Sequence, residues 1–139
     1  MRKIFILATI LASFGVTAFA QADRTDPRAD EYRAWMQSIP PELRSLTTNI
    51  KGKMGDMAVS DADKLKATFK QVEDFWGQRN VQDAVLFAQT AQKALTAVSK
   101  DAKAGNTDAG LADLKALQET CSSCHMAHRE GATGSFTIK

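Results

Sequence analysis

Cysteine and histidine are scarce in this chain. Two cysteines and two histidines occur among 139 residues, and all four fall within one short segment near the C-terminus: Cys121, Cys124, His125 and His128. A structural zinc site normally takes four Cys or His ligands in a tetrahedral arrangement, and one helix does not wrap that closely around an ion. A zinc-binding module is therefore disfavoured. The function of the two cysteines must be inferred from their spacing in the sequence.

Signals for β-structure are also nearly absent. The sequence contains three prolines and eight glycines, and apolar and polar residues do not alternate over any sustained stretch before the last few positions. Alternation with a period of two is typical of a half-buried strand, whereas spacings of three and four are typical of an amphipathic helix. Beyond its N-terminal segment the chain follows the helical spacing, so we expect an all-α protein.

The N-terminal segment is apolar and begins with two basic residues. Arg2 and Lys3 precede a long uncharged run, and Ala18-Phe19-Ala20 has the small-x-small pattern of a cleavage site. The run is about long enough to span a membrane, but threonine, serine and glycine residues dilute its hydrophobicity. We therefore predict a signal peptide over residues 1–20, cleaved after Ala20. The mature chain is expected in the periplasm of a Gram-negative bacterium, with no membrane association after cleavage.

An excess of basic charge is missing from this mature chain. The full sequence has a formal net charge of +2, and cleavage removes Arg2 and Lys3, which leaves a formal charge of zero. Nucleic-acid-binding domains carry a basic patch or stripe. No nucleic acid is therefore expected among the partners.

Four helical segments make up the predicted mature domain, residues 21–139. The first is predicted over 27–55, with Asp26 as its N-cap and Pro27 in its first turn. The apolar spacing of three and four continues across Pro40-Pro41, so we expect one kinked helix rather than two separate ones. The apolar positions of this helix are Tyr32, Trp35, Met36, Ile39, Leu43, Leu46, Ile50, Met54 and Met57.

Caps and glycines delimit the other three helices. The second is predicted from Ser60 or Asp61 to Gly77, the third from a cap at Asn80 to a stop before Gly105, and the fourth from Asn106 or Thr107 to Gly131. The third helix carries Ala84, Ala88 and Ala91 on its apolar face, which indicates either room for a cofactor or ordinary close helix packing. Four amphipathic helices with short connections pack naturally as an antiparallel four-helix bundle.

The run Cys121-Ser122-Ser123-Cys124-His125 has the C-x-x-C-H pattern of covalent haem c attachment. Residues three apart share a helix face, so both thiols can bond to one porphyrin while the adjacent imidazole of His125 ligates the iron. A disulfide or a dithiol redox site is the alternative, but a thioredoxin-like site is expected beside a βαβ pattern. We therefore predict one covalent haem c on the inward face of the last helix, in agreement with export.

Over its whole mature length the chain resembles the cytochrome c′ family, the class II c-type cytochromes. The resemblance lies in four helices, a single C-x-x-C-H on the last of them, and an arginine, Arg129, four residues after His125. It implies an up-down-up-down bundle and a possible homodimer through the first two helices. It also implies that Arg129, one helical turn after His125, lies beside a haem propionate, where a charge-assisted bond is reasonable; a solvated arginine is the alternative.

The distal ligand of the iron is expected to be Met36. His128 and Met126 lie on the same helix as His125 and cannot reach the other face of the haem. Met54 is roughly 27 Å farther along the predicted first helix, at 1.5 Å per residue. No lysine lies on an apolar stripe near the start of that helix, where a neutral amine would need a desolvated site.

The resemblance points to the same residue, because the low-spin branch of the family places a methionine early in the first helix. Two alternatives to ligation by Met36 remain. Methionine often fills space in a core, and a shifted register would bring Trp35 or Gln37 over the iron instead.

Two functions are compatible with these features. One is a periplasmic single-haem electron carrier that exchanges electrons with redox partner proteins. The other is a five-coordinate cytochrome c′ that binds or buffers nitric oxide or carbon monoxide, which requires an open distal position. An enzyme is not expected, because neither a carboxylate pair nor a distal histidine accompanies the motif to move protons. A distal methionine favours the carrier.

Overall fold

The computed structural model describes Asp26, residues 28–131 and residues 136–139. In these residues the chain forms four helices, α1 (Ala29–Lys51), α2 (Gly55–Gly77), α3 (Gln82–Lys103) and α4 (Thr107–His128), followed by two short strands, β1 (Arg129–Glu130) and β2 (Thr137–Ile138). The prediction of an all-α protein with four helices is confirmed. The predicted signal peptide, its cleavage site and Pro27 lie outside the described residues.

The four helices pack into a bundle-like fold with an apolar interior. The most extensive contacts join α2 to α3 and α3 to α4, whereas α1 and α4 meet over a much smaller area. The largest fully buried side chains are Trp76, Phe75, Leu46, Leu65, Leu95, Leu117 and Val98. None of the helices in the described ranges is long and apolar enough to cross a membrane.

Helix α1 runs through Pro40 and Pro41 without interruption, so the prediction of a single helix across the two prolines is confirmed. It begins at Ala29, later than predicted, with Arg28 and not Asp26 in the N-cap position. The Asp26 carboxylate nevertheless accepts a hydrogen bond from the Arg28 backbone N–H, at 2.9 Å. It also pairs with Arg79 in the turn between α2 and α3, which ties the start of α1 to that turn.

The predicted end of the first helix was wrong. Helix α1 stops at Lys51, where Lys53 takes a left-handed φ of 55° and the Met54 backbone N–H donates to the Asn49 carbonyl at 2.9 Å. Helices commonly end with a residue in this left-handed conformation, and the chain changes direction at this point. Met54 is therefore the N-cap of α2, and Met57 lies within α2 instead of on the first helix.

Helix α2 begins several residues before the predicted start at Ser60 or Asp61. Its first residue, Gly55, lies so close to the end of α3 that an added Cβ would be 3.0 Å from the Ala102 carbonyl oxygen. Ala58 and Ala62 in the following turns are fully buried. Small residues in the first two turns thus form a close contact between helices, which the larger apolar stripe starting at Leu65 does not reveal.

The remaining helix ends agree with the sequence except at two places. The end of α2 at Gly77, the end of α3 before Gly105 and the start of α4 at Thr107 are confirmed. Asn80 is not the cap of α3: it occupies a left-handed turn with φ 57°, and Val81 takes the N-cap position. Asparagine tolerates that conformation better than most residues, so the same residue type marks a turn here instead of a cap.

Helix α4 ends at His128, and Arg129 adopts an extended conformation. The prediction that Arg129 continues the helix, with a stop at Gly131, was therefore wrong. Strand β1 pairs with β2 in antiparallel register, Arg129 opposite Ile138 and Glu130 opposite Thr137. The C-terminal residues return to the end of α4 because Phe136 is buried, at 8% exposure.

A buried carboxylate joins α1 to α2. Asp61 Oδ2 accepts hydrogen bonds from Ser45 Oγ and Asn49 Nδ2, both at 2.7 Å. Asn49 and Asp61 are buried, and a buried charge is tolerated only where such donors satisfy it. This contact fixes the second half of α1 against α2.

Substituting Asp61 with alanine is expected to lower the free energy of unfolding by about 2 kcal/mol, because two hydrogen bonds to a charged acceptor are lost and the Asn49 amide is left without its partner. Asp63→Ala on the same helix is the control. Within the described residues Asp63 pairs with Lys66 at the surface, so its loss should cost less than about 1 kcal/mol. Urea unfolding followed by circular dichroism measures both, and equal losses would contradict the assigned role of Asp61.

Candidate cofactor site

A cavity of about 310 Å³ is lined by residues of all four helices. Cys121, Cys124 and His125 line it from α4, and Met36 lines it from α1. A second cavity of about 210 Å³ adjoins it and shares Tyr32, Met36, Pro40, Cys124 and His125 as lining residues. All four side chains predicted to hold the haem directly are therefore brought to one place by two different helices.

The size and lining of this space fit a cofactor. Protein interiors are close-packed and contain few voids larger than a water molecule, whereas ligand pockets of 300 Å³ or more have mostly apolar walls with a few polar groups. The larger cavity matches that description. Its apolar walls include Ile39, Leu43, Phe69, Val72, Phe87, Ala88 and Ala91.

On α4 the three motif residues share one face. Cys121 packs against the main core cluster, and Leu114 and Leu117 continue the same stripe toward the N-terminus of the helix as buried residues. The spacing of three and four residues places both thiols and the imidazole toward the cavity. The inward orientation predicted for the motif is therefore the one observed.

The two thiols are free in the structure, with no disulfide between them. Burial raises the pKa of Cys121 to about 11, and burial together with the neighbouring Cys121 and Asp83 raises the pKa of Cys124 to about 11. Both side chains are therefore neutral thiols near pH 7. A dithiol redox site works through a thiolate with a lowered pKa, so this environment does not favour that alternative.

Burial, and secondarily the positive charge of Arg129, lowers the pKa of His125. The imidazole is therefore neutral at pH 7, and a neutral imidazole is the form that ligates a metal ion. Among the described residues, no group of three or more Cys, His, Asp or Glu side chains is arranged to bind a metal ion. A zinc site made of Cys121, Cys124, His125 and His128 is not formed.

Met36 is the best placed of the three α1 residues considered for the distal position. It lines both cavities, whereas Gln37 lines only the smaller one and Trp35 neither of them. Trp35 instead packs edge-on against Tyr32 and Phe75. The geometry therefore favours the register in which Met36 lines both cavities together with His125.

Among the described residues, the other methionines and the second histidine do not line the larger cavity. Met54, Met57 and Met126 are exposed, Met126 by 75%. His128 Nε2 lies 2.9 Å from Asp83 Oδ2, and its ring packs 5.0 Å from that of Trp76. These side chains do not compete with Met36 for the larger cavity.

Arg129 lines the smaller cavity from strand β1. Its guanidinium lies 5.8 Å from the centre of the Phe136 ring, a cation–π distance. The residue is thus beside the predicted haem site, although an extended segment and not a helical turn brings it there. Its proximity to a propionate stays a prediction.

Aromatic and small side chains shape the rest of the site. Tyr32 lines both cavities, stacks on Phe75 and accepts a hydrogen bond from Trp76 Nε1 at 3.4 Å. Ala88 and Ala91 line the larger cavity, whereas Ala84 is buried in the aromatic cluster. Ala88 and Ala91 are also buried in the core clusters, so close packing is observed along the whole stripe, whereas room for a cofactor stays a prediction.

Two aromatic wall residues, Phe87 and Phe136, were not anticipated from the sequence. Phe87 lies between Leu86 and Ala88 on α3 and breaks the simple alanine pattern, so the apolar stripe did not include it. Phe136 lies in the tail, and no helical periodicity marks it. The one sequence feature that could have indicated its burial is that Phe136 is the single aromatic residue of the tail.

No family model matches this chain, and no curated protein or solved structure matches it. The resemblance to cytochrome c′ therefore stays a prediction that rests on the C-x-x-C-H motif, Arg129 and the four helices.

Proposed function

We propose that this protein is a periplasmic single-haem c-type cytochrome that carries electrons, and that His125 and Met36 are the two side chains that would ligate its iron. The observation that supports the proposal is the shared cavity: both thiols, the neutral imidazole and the Met36 thioether all line it. These are the side chains that covalent attachment and two-sided ligation require. They come from opposite parts of the sequence.

Each residue has a distinct part in this proposal. Cys121 and Cys124 hold the porphyrin through thioether bonds, His125 ligates the iron from α4, and Met36 ligates it from α1. When bound, haem c supplies reversible one-electron chemistry at its iron. The apolar walls exclude water and lower the local dielectric, and such a shell around a metal helps to set its potential.

The wider setting of the proposal is a cytochrome c′-like protein. Short turns between successive helices support an antiparallel four-helix bundle. The N-terminal sequence supports export and cleavage after Ala20. Redox partner proteins are the proposed partners, with a homodimer through α1 and α2 as the assembly that the resemblance implies. No substrate turnover is part of the proposed role.

Absorption spectra of the purified protein in the ferric and ferrous states test the function. We expect one haem c per chain, a low-spin ferric spectrum with a thioether-to-iron charge-transfer band, and a fully reversible one-electron wave in voltammetry. Carbon monoxide should bind the ferrous protein slowly or weakly, since Met36 must first leave. A high-spin wild-type spectrum with rapid binding of carbon monoxide or nitric oxide would favour the gas-binding alternative.

A further inference from the structure

The C-terminal residues are fixed to the end of α4. Besides the pairing of β1 with β2, the Lys139 backbone N–H donates to the His128 carbonyl at 3.0 Å. Ile138 packs against the aromatic cluster as a partly buried residue. The last four residues therefore have a defined place in the fold beside the smaller cavity.

Phe136 is the residue of this segment that enters the interior. It is 8% exposed and packs in a cluster with Tyr32, Val72, Phe75, Trp76, Ala84 and Ala88. It also lines the smaller cavity, whose other walls include Met36 and His125. A single side chain from the end of the chain thus forms part of the wall beside both proposed iron ligands.

The same ring lies next to a charge that reaches into the site. The Arg129 guanidinium is 5.8 Å from the centre of the Phe136 ring, and Arg129 lines the smaller cavity together with His125. Phe136 therefore has an aromatic cluster on one side, the cavity on another and Arg129 close to its ring. Loss of the ring would remove a wall and a contact of Arg129 together.

We propose that Phe136 determines which molecules reach the cofactor: as a wall of the smaller cavity, which Met36 and Arg129 also line, its ring restricts the entry of water and small exogenous ligands. The inference rests on the proposed function, because it concerns access to a haem in this cavity. It adds a residue that belongs neither to the attachment motif nor to the ligand pair.

In the wild-type protein, dissociation of Met36 from the iron would limit the rate at which an external ligand binds. Access to the haem is therefore best measured in a variant that lacks Met36. The test compares Met36→Ala with Met36→Ala/Phe136→Ala, both as haem-loaded proteins. The readout is the bimolecular rate of carbon monoxide binding to the ferrous form after flash photolysis. A minor open state often accounts for about 10% of conformers or fewer, so removal of the ring should raise the rate about tenfold. With n-butyl isocyanide, a bulkier ligand, the rise should be larger still.

Ile138→Ala in the same background is the matched control. It removes apolar burial from the same hairpin, but Ile138 does not line either cavity, so both rates should stay within about twofold of the parent, the scale of a surface effect. The size dependence also separates a gate from general loosening, which would accelerate both ligands alike.

The remaining outcomes are decisive as well. Equal rates for the Phe136→Ala and Ile138→Ala variants would overturn the inference while leaving the proposed function intact. Absence of bound haem in the wild-type protein would overturn the proposed function and the inference with it. If the alanine variant does not fold, Phe136→Leu replaces it, and a leucine variant without any acceleration of the isocyanide would likewise overturn the inference.

Discussion

Replacing Cys121 and Cys124 together with serine is expected to abolish covalent haem attachment completely. Serine has nearly the size of cysteine, but its hydroxyl does not form the thioether bond that holds haem c. The readout is haem staining of the exported protein after denaturing gel electrophoresis. We expect a stained band for the wild-type chain and none for the double variant.

Ser122→Ala/Ser123→Ala is the control for this experiment. It changes the two residues between the cysteines, whose hydroxyls bond only to carbonyls of their own helix, at 3.0 Å each. Its haem stain should therefore be unchanged. Staining that survives in the cysteine variant, or wild-type haem that is extracted by acid acetone, would rule out attachment through these thiols.

The cysteine variant should also be less stable than the wild-type protein. The cavity has largely apolar walls, and apolar surface that a bound haem would cover contributes about 25 cal/mol per Å² when it is removed from water. Haem bound only through axial ligands would dissociate on dilution, so unfolding should shift to lower urea concentration. The control variant should unfold with the wild-type protein.

The parts of this fold that follow from local sequence were predictable. Gly77 and Gly105 mark the ends of α2 and α3, and the spacing of the apolar residues carries α1 across Pro40-Pro41. The inward face of the C-x-x-C-H motif follows from its register with Leu114 and Leu117. Each of these features depends on a few neighbouring residues, which is the range over which helical periodicity and capping operate.

The features that failed depend on contacts between distant segments. The early start of α2 results from the close approach of Gly55 to Ala102, and the extended conformation of Arg129 from the burial of Phe136. The predicted place of Met54 and Met57 on the first helix was wrong. The apolar spacing continues through the turn between α1 and α2, so periodicity alone does not reveal that the first helix ends there. Such long-range contacts override local propensity.

The residues that meet at the candidate site were largely predictable, apart from two of its aromatic walls. Cys121, Cys124 and His125 form a short motif, and Met36 was selected by elimination. The elimination used a wrong position for Met54, but Met54 is exposed at the start of α2 and does not line the cavity, so ligation by Met36 stays the prediction. Phe87 and Phe136 became wall residues only through tertiary packing.

Substituting Met36 with alanine is expected to convert a low-spin, six-coordinate haem into a high-spin, five-coordinate one. Alanine carries no sulfur, and in this chain the neighbouring Trp35 and Gln37 do not line the larger cavity. The ferric charge-transfer band should disappear, and carbon monoxide should bind the ferrous form much faster. The reduction potential should fall, because a methionine ligand raises it.

Met54→Ala and Met57→Ala are the controls, since both side chains are exposed methionines on α2 or at its start. They remove the same thioether without altering the cavity, so spectrum, potential and carbon monoxide binding should all match the wild-type protein. Absorption spectroscopy, voltammetry and flash photolysis give the three readouts. A wild-type haem that is already high-spin, with a spectrum that Met36→Ala leaves unchanged, would contradict ligation of the iron by Met36. Gas binding would then be the better supported function.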